Sequence, residues 1–381
     1  MTLPGQTVGI LGGGQLGRFI ALEARLMGLK TVVLDPTPNS PAGQVCDAQI
    51  VAPVDDMKAA LELARLSDVV TLEWELIPAE ILEALEAAKR PLFPSSAVIR
   101  TIQDRLTQKD FLHKGSFPQT PYAAVSGAGE LKAAAKRLGF PCILKRRRHG
   151  YDGKGQLRLR SRADLSQAAA LLEAPCVLEA MVDFRRELSV IIAFSADGKA
   201  RAFPIAENAH RGGILHSTTA PAAVSASESA AARALAEKIG RALGHVGVMA
   251  VELFQGRSGE LLVNEIAPRV HNSGHYTLGA CATSQFAQHL RAGLGMPLGS
   301  AALETPAVMI NLLGELWSEG EPRWESLVQT PGVKLFLYGK EKAAPGRKMG
   351  HFLVLGDFPG GALAEAERLH GLLAPAAAAA H

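Results

Sequence analysis

The chain has 381 residues, 48% of them hydrophobic and 20% charged, which places it among folded proteins of two or three domains and excludes a disulfide miniprotein or a disordered chain. Its 40 Lys+Arg against 37 Asp+Glu leave +3, too little charge for a protein that wraps nucleic acid along its whole surface. Four scattered cysteines without a CxxC pair, no signal-peptide pattern, and no apolar run near the roughly 20 residues of a membrane helix lead us to expect a cytoplasmic protein with reduced thiols and no membrane contact.

Thr7 to Leu11 is a short apolar run closed by glycines, Leu16 to Leu29 has helical apolar spacing, and Thr31 to Leu34 is β-branched ahead of Asp35-Pro36. That order predicts a strand, a tight turn, a helix and a parallel strand. The turn, Gly12-Gly13-Gly14-Gln15-Leu16-Gly17, matches G-x-G-x-x-G and is followed by Asp35 at the next strand end. Such glycines admit a phosphate to the amides of a helix start, or serve packing alone, so a dinucleotide site and a packing turn both fit. Val69 to Leu72 predicts another strand, and Ala79 to Lys89 a helix before Pro91 and Pro94. Glu73 and Glu75, just past that strand, are either acceptors for sugar hydroxyls or ordinary surface carboxylates. A doubly wound domain is therefore expected up to about residue 105.

From Asp110 to Leu157 the pattern is a helix, a β run at Ala123 to Val125, a helix at Glu130 to Leu138, a strand at Cys142 to Lys145 and a glycine-rich loop. In Lys145-Arg146-Arg147-Arg148-His149-Gly150-Tyr151-Asp152-Gly153-Lys154-Gly155 a strand-end lysine precedes three glycines, the chemistry of a polyphosphate cradle for ATP. The alternatives are a solvated basic turn or a nucleic-acid patch on Arg146 to Arg148. The glycines and the lack of interleaved aromatic residues favour phosphate.

Further β signals at Val177 to Met181 and Leu188 to Phe194, a helix at Ser227 to Leu243, and strands at Gly247 to Phe254 and Glu260 to Ile266 make a second α+β unit. If the hairpin turns symmetrically near Ser258-Gly259, Glu252 and Glu265 stand opposite each other with Cβ atoms roughly 5 Å apart. Two like charges so close call for a cation, and with Asn264 beside them the oxygen set suits Mg2+ carrying substrate phosphates. Two exposed carboxylates on a solvated hairpin are the alternative. In the next stretch, Pro268 to His275, Arg269 is suited to grip a small anion two-pronged, with His271 and Asn272 adding hydrogen bonds. His271 and His275 are not expected to bind zinc, because Asn-Ser-Gly between them opposes a helix and no HExxH glutamate is present.

The last part has β runs at Ala307 to Leu312, Val333 to Tyr338 and His351 to Leu355, a helix from about Ala362, and an alanine-rich tail, Pro375 to His381, that reads as a frayed helix end or disorder. Trp317 and Trp324 read as packing residues. The basic cluster Lys340-Glu341-Lys342 and Pro345 to His351 is either a phosphate grip or a solvated turn.

A strand lysine, a glycine loop, a later hairpin with paired carboxylates and a doubly wound domain in front follow the order seen in ATP-grasp ligases. Within them the chain closely resembles the N5-carboxyaminoimidazole ribonucleotide synthetase family from about Gly9 to Gly350. The stretches that carry the resemblance are GILGGGQLGR, DRLTQK at Asp104 to Lys109, GYDGKGQ at Gly150 to Gln156, ENAHRGGIL at Glu207 to Leu215, NEIAPRVHNSGH at Asn264 to His275 and PGRKMGH at Pro345 to His351. The resemblance implies an ATP-grasp fold of the α/β and α+β class. Residues 1–105 would form an N-terminal doubly wound, Rossmann-like domain, 106–178 the small lid subdomain, 179–298 the large subdomain with the metal site, and 299–381 a small C-terminal β-rich domain.

For the site, the resemblance implies ATP contacts from Arg105, Lys145, the loop His149, Gly150, Tyr151, Asp152, Gly153, Lys154 and Gly155, and the connector Glu179, Ala180, Met181 and Val182. Glu187, toward the ribose, His210, Asn264 and Glu265 would complete them. It implies Mg2+ on Glu252 and Glu265, and bicarbonate and then carboxyphosphate on Arg269, His271 and Asn272. Tyr151, Asp152 and Lys154 would close over 5-aminoimidazole ribonucleotide, with Gln15, Leu16, Glu73 and Glu75 on the ribonucleotide side of the cleft and Lys340, Arg347 and Lys348 gripping its phosphate. His149 departs from the family, which more often has glycine there.

The implied reaction turns ATP and bicarbonate into ADP and carboxyphosphate, then carboxylates the exocyclic amine and releases phosphate, in purine biosynthesis. A homodimer and functional coupling to the mutase that takes the unstable product are implied as well. Another ATP-grasp ligase on a purine precursor, an NAD-dependent oxidoreductase built on Gly12 to Gly17 and Asp35, and a nucleic-acid-binding protein built on Arg146 to Arg148 are the rival readings.

Overall fold

The computed structural model describes residues 5–148, 150 and 155–373. The tail Pro375 to His381 lies outside the described residues. The N-terminal segment runs β1 (Thr7–Leu11), α1 (Gln15–Leu26), β2 (Lys30–Asp35), β3 (Ala48–Val51), α2 (Met57–Leu66), β4 (Val69–Leu72), α3 (Ala79–Ala87) and β5 (Leu92–Phe93). Its strands are all parallel, in the order β3-β2-β1-β4-β5. Central parallel strands are covered on both faces, so β1 and β4 are nearly unbroken buried apolar runs. At the first turn Gly12 has φ of +95°, and a Cβ on Gly17 would stand 2.6 Å from the Gly12 carbonyl oxygen. The helix therefore packs on the strand at a distance only glycine allows.

The chain continues through α4 (Ser96–Ile102), α5 (Arg105–Lys114), β6 (Tyr122–Val125), α6 (Ala128–Leu138), β7 (Cys142–Arg146), β8 (Gln156–Leu159) and β9 (Cys176–Ala180). These four strands form an antiparallel sheet in the order β6-β9-β7-β8. Asp104 caps α5, its side chain accepting from the Leu106 amide.

The third part comprises β10 (Phe184–Phe194), β11 (Ala200–Ala202), β12 (Ala206–Arg211), β13 (Ile214–Ala220), α7 (Ala226–Leu243), β14 (Gly247–Gly256), β15 (Leu261–Ala267), α8 (Thr277–Ala280) and α9 (Gln285–Gly293). The chain then adds β16 (Ala307–Leu313), α10 (Glu325–Gln329), β17 (Val333–Leu337), β18 (Lys348–Leu355) and α11 (Ala362–Gly371). α7 begins at a reciprocal Ser225–Glu228 capping box and ends at Gly244 in the left-handed region. β16 pairs with β13, so the C-terminal strands continue the sheet of the third part in the order β15-β14-β10-β12-β13-β16-β18-β17.

One apolar cluster ties the N-terminal sheet to this large sheet. Phe19 on α1 meets Phe286 on α9 at 5.2 Å between ring centroids, with Tyr276 and Tyr338 fully buried in the same cluster. Each such side chain contributes about 1.5–3 kcal/mol by leaving water. A polar strut crosses the same junction. His289 on α9 contacts the Thr71 hydroxyl of β4 through Nε2 (2.7 Å) and accepts from the Val248 amide of β14 at Nδ1 (3.0 Å). Strand ends of the N-terminal sheet and of the large sheet are thereby held around one cleft.

Candidate active site

The cleft has a volume of about 520 Å3 and is lined from all parts of the chain. At its centre lies the β14–β15 hairpin, whose register pairs Glu252 with Glu265. Leu253 pairs with Val263, so Asn264 is the extra residue of a bulge, and both Asn264 and Glu265 line the cleft. The two carboxyls are shifted in opposite directions. Burial and the adjacent Glu265 push Glu252 up to about 7. Burial acts the same way on Glu265, but Arg105 and Lys145 outweigh it and hold Glu265 below its ordinary value, with Arg105 Nη1 at 3.2 Å.

Among the described residues no group of three or more His, Cys, Asp or Glu side chains converges as a metal cage. Two carboxylates suit Mg2+ all the same, because this ion keeps several waters and takes substrate phosphates as ligands. A carboxyl driven up by a like charge is also what a divalent cation would relieve.

Lys145, at the end of β7, lines the cleft and places Nζ 3.0 Å from Glu179 Oε2, while Lys109 Nζ lies 3.4 Å from the same oxygen. Glu179 and Lys109 are each only 2% exposed. One buried carboxylate thus faces two ammonium groups and, further off, Arg105, leaving positive charge for an anionic ligand. Arg105 also donates to the Gly150 carbonyl at 3.3 Å, touching the stem of the glycine loop. The basic run after Lys145 is tied down as well. Arg147 sits two-pronged on Asp104 at 2.9 and 2.8 Å, and Arg148 reaches the same carboxylate at 3.2 Å.

Farther along, His210 Nδ1 stands 2.9 Å from Glu187 Oε2. Burial would lower its pKa, but Glu187 reverses this and the net shift is upward. Phe184 and Phe254 stack at 4.6 Å and 13°, giving the cleft an aromatic wall.

At the other end Arg269 lies against Glu75, and burial and the Arg269 charge hold His271 well below the ordinary imidazole range. The Ser273 amide donates to His271 Nδ1 at 3.3 Å, so the proton of the neutral ring resides on Nε2, which is 3.9 Å from Glu252. His271 therefore offers a donor to the cleft. Asn272 lines the same end and pairs amide to amide with Asn311.

The glycine turn is filled by the protein itself. Gly13 donates to Asp35 at 2.8 Å, and Gly14 and Gly17 donate to the two oxygens of Glu73 at 2.5 and 2.7 Å. The amides that a dinucleotide phosphate would use are taken. Lys340 Nζ contacts Gln15 Oε1 at 2.8 Å and the Lys348 carbonyl at 2.7 Å, joining this turn to β18.

Of the residues singled out in the sequence, Gln15, Leu16, Glu73, Glu75, Arg105, Lys145, Gly150, Glu187, His210, Glu252, Asn264, Glu265, Arg269, His271, Asn272 and Lys348 line this one cleft. Gly155, Glu179, Ala180, Met181, Val182, Lys340 and Arg347 do not. Glu179 is turned inward under the two lysines because β9 is an interior strand, and the amides of Ala180 and Met181 donate to the Pro121 and Pro141 carbonyls. Arg347 is exposed and donates to the Lys342 carbonyl at 2.6 Å. His149, Tyr151, Asp152, Gly153 and Lys154 lie outside the described residues. Phe184, Phe254, Gln103, Gln108 and Trp74 line the cleft without having been singled out. Gln108 lies within the marked stretch Asp104 to Lys109 and Phe254 ends a marked strand, and the others have position near the marked motifs as their only sequence signal.

Residues 5–103 match the ribonucleotide synthetase preATP-grasp domain, 110–286 the ATP-grasp domain, and 307–364 the phosphoribosylaminoimidazole carboxylase C-terminal domain. The N5-carboxyaminoimidazole ribonucleotide synthase of Brucella melitensis is 46% identical over 352 residues, covering 91% of this chain and 96% of that protein. A solved N5-carboxyaminoimidazole ribonucleotide synthetase in complex with ADP superposes with a TM-score of 0.92 at 46% identity, covering 97% of both chains. The Aspergillus clavatus synthase, solved with ADP and 5-aminoimidazole ribonucleotide, superposes with a TM-score of 0.89 at 33% identity, covering 97% of this chain and 98% of that one.

Proposed function

The chain belongs to the N5-carboxyaminoimidazole ribonucleotide synthase family of ATP-grasp proteins, and from that premise we propose how its cleft performs the reaction. The protein is an ATP-dependent ligase that carboxylates 5-aminoimidazole ribonucleotide in purine biosynthesis. Bicarbonate is the carbon source. ATP phosphorylates it to carboxyphosphate, and the exocyclic amine of the ribonucleotide takes the carboxyl group as phosphate leaves.

Lys145 and Arg105 receive the ATP phosphates, with Lys109 and Glu179 beneath Lys145 setting its position and charge. Glu187 and His210 face the ribose, and the Phe184–Phe254 wall covers the apolar side. Glu252 and Glu265 would hold Mg2+, which when bound would supply neutralisation of phosphate charge. Arg269, the Nε2–H of His271, and Asn272 hold the bicarbonate and the oxygens that become carboxyphosphate, so catalysis is chiefly positioning and electrostatics. Gln15, Glu73, Lys340 and Lys348 form the ribonucleotide side, with Arg347 at its margin. Both carboxyphosphate and the carbamate product are labile in water, which favours a closed site and a following mutase that takes the product promptly.

The observation that carries this reading is the pairing of Glu252 with Glu265 on the cleft that also holds Lys145 and Arg269. The test is ADP release with MgATP while bicarbonate and 5-aminoimidazole ribonucleotide are omitted in turn. Fast release that needs both supports it; release with neither, or only with another acceptor, overturns the substrate assignment.

A further inference from the structure

Asn311, on β16, is 1% exposed and lies far in sequence from the anion-binding stretch, yet its side chain is bonded to it. Its Nδ2 donates to the Leu215 carbonyl at 2.8 Å and to Asn272 Oδ1 at 2.7 Å, and its Oδ1 accepts from Asn272 Nδ2 at 3.0 Å. The orientation of both carboxamides follows from one main-chain group. The Leu215 carbonyl only accepts, so the nitrogen end of Asn311 must face it, and that end in turn meets the oxygen of Asn272. Asn272 is left with one N–H and one lone pair not engaged by Asn311, in a side chain that lines the cleft beside His271.

We propose that Asn311 is a positioning residue that sets which face Asn272 presents to bicarbonate, with the Leu215 carbonyl as its reference. The inference rests on the reading of Asn272 as a bicarbonate contact. Without Asn311 both bonds that hold the Asn272 amide are gone, and the amide leaves the orientation in which its N–H meets the anion. A hydrogen bond to a charged group is thereby lost, which weakens bicarbonate use by about 10- to 100-fold. MgATP contacts arise elsewhere in the cleft and are unaffected.

The test measures KM for bicarbonate and for ATP in Asn311→Ser, in Asn272→Ala and in the double variant, with the melting temperature of each. Asn311→Asp, which keeps the side-chain size but puts an acceptor oxygen in place of Nδ2 against both the Leu215 carbonyl and Asn272 Oδ1, is the second single variant and is expected to raise the bicarbonate KM at least as much as Asn311→Ser. Asn311→Ser is expected to raise the bicarbonate KM about 10-fold or more with the ATP KM within about twofold, and to add less than about twofold to Asn272→Ala. An unchanged bicarbonate KM in Asn311→Ser, an equal effect with and without Asn272, or an ATP KM that moves by the same factor overturns the inference and leaves the reading of Asn272 standing. If Asn272→Ala itself leaves the bicarbonate KM unchanged, that reading falls and the inference with it.

Discussion

The guanidinium of Arg269 lies two-pronged on the carboxylate of Glu75, joining the loop after β15 to the end of β4. A third N–H, on Nη1, donates to the Val270 carbonyl at 3.0 Å, so Glu75 takes the two-pronged edge expected to grip the anion, and what a ligand can meet is the remaining N–H of Nη1 and of Nη2, held in direction before it arrives. Lysine would keep the charge and lose this geometry. Arg269→Lys is therefore expected to raise the bicarbonate KM by about tenfold or more at nearly unchanged ATP KM. Both side chains are mostly buried, and Glu75→Ala, by stranding the arginine, is expected to cost about 3 kcal/mol of stability in a denaturant titration. Wild-type bicarbonate kinetics in Arg269→Lys would contradict the anion assignment.

The paired hairpin carboxylates link activity to pH-dependent stability. Because Glu252 is raised from 4.5 to about 7, the folded metal-free chain holds a proton that the unfolded chain releases above 4.5. The contribution of this group to stability is thus present at low pH and falls as pH rises from 4.5 to about 7, by about 3 kcal/mol in all. Glu252→Gln does not titrate and is expected to remove that slope while abolishing turnover. Melting curves of the two proteins across this range, without metal, give the comparison; parallel curves would refute it. Glu265→Ala should likewise abolish ATP turnover.

Asp104 caps α5 and carries Arg147 and Arg148. Asp104→Ala is expected to lower stability by about 1–3 kcal/mol, most of it from the cap and the Arg147 pair, since Arg148 is half-exposed. The Arg105 amide donates to the Arg147 carbonyl at 2.9 Å, so the same variant should also raise the ATP KM. With these arginines tied to Asp104, the protein should show no steeply salt-dependent binding to generic DNA. A filter-binding series against salt checks that.

Glu73 occupies the glycine turn as an internal acceptor for two amides. NADH fluorescence should accordingly show no binding, and saturation at micromolar cofactor would contradict the closed turn. Glu73→Ala leaves two amides without their acceptor and is expected to cost about 1–3 kcal/mol.

Lys348→Ala is expected to weaken ribonucleotide use by about tenfold or more while the ATP KM stays close to wild type, because Lys348 lines the cleft and its carbonyl is joined through Lys340 to Gln15. Equal losses for both substrates would undo that division of the site.

Much of the fold was legible because it is written in short periods. The buried runs of β1 and β4, the helix read from Ser227 to Leu243 and the β14–β15 hairpin need only neighbours a few positions apart, and the facing of Glu252 and Glu265 follows from alternation along one hairpin. The β12–β13 hairpin carried a signal as well, Gly212 and Gly213 both at positive φ, but its strands are polar and alternate weakly, so it stayed unread. β3 and β5 are too short to stand out.

The chemistry of the motifs, a strand lysine before glycines and carboxylates paired across a turn, was set by the sequence alone, since residue type and local period decide it. Which groups meet was decided by the tertiary structure. Glu75 neutralising Arg269, Glu73 closing the glycine turn, Asn311 aligning Asn272 and Lys340 reaching Gln15 all join separate sheets or loops. Such contacts depend on how whole sheets pack, and apolar packing leaves no periodic trace at the polar residues it brings together.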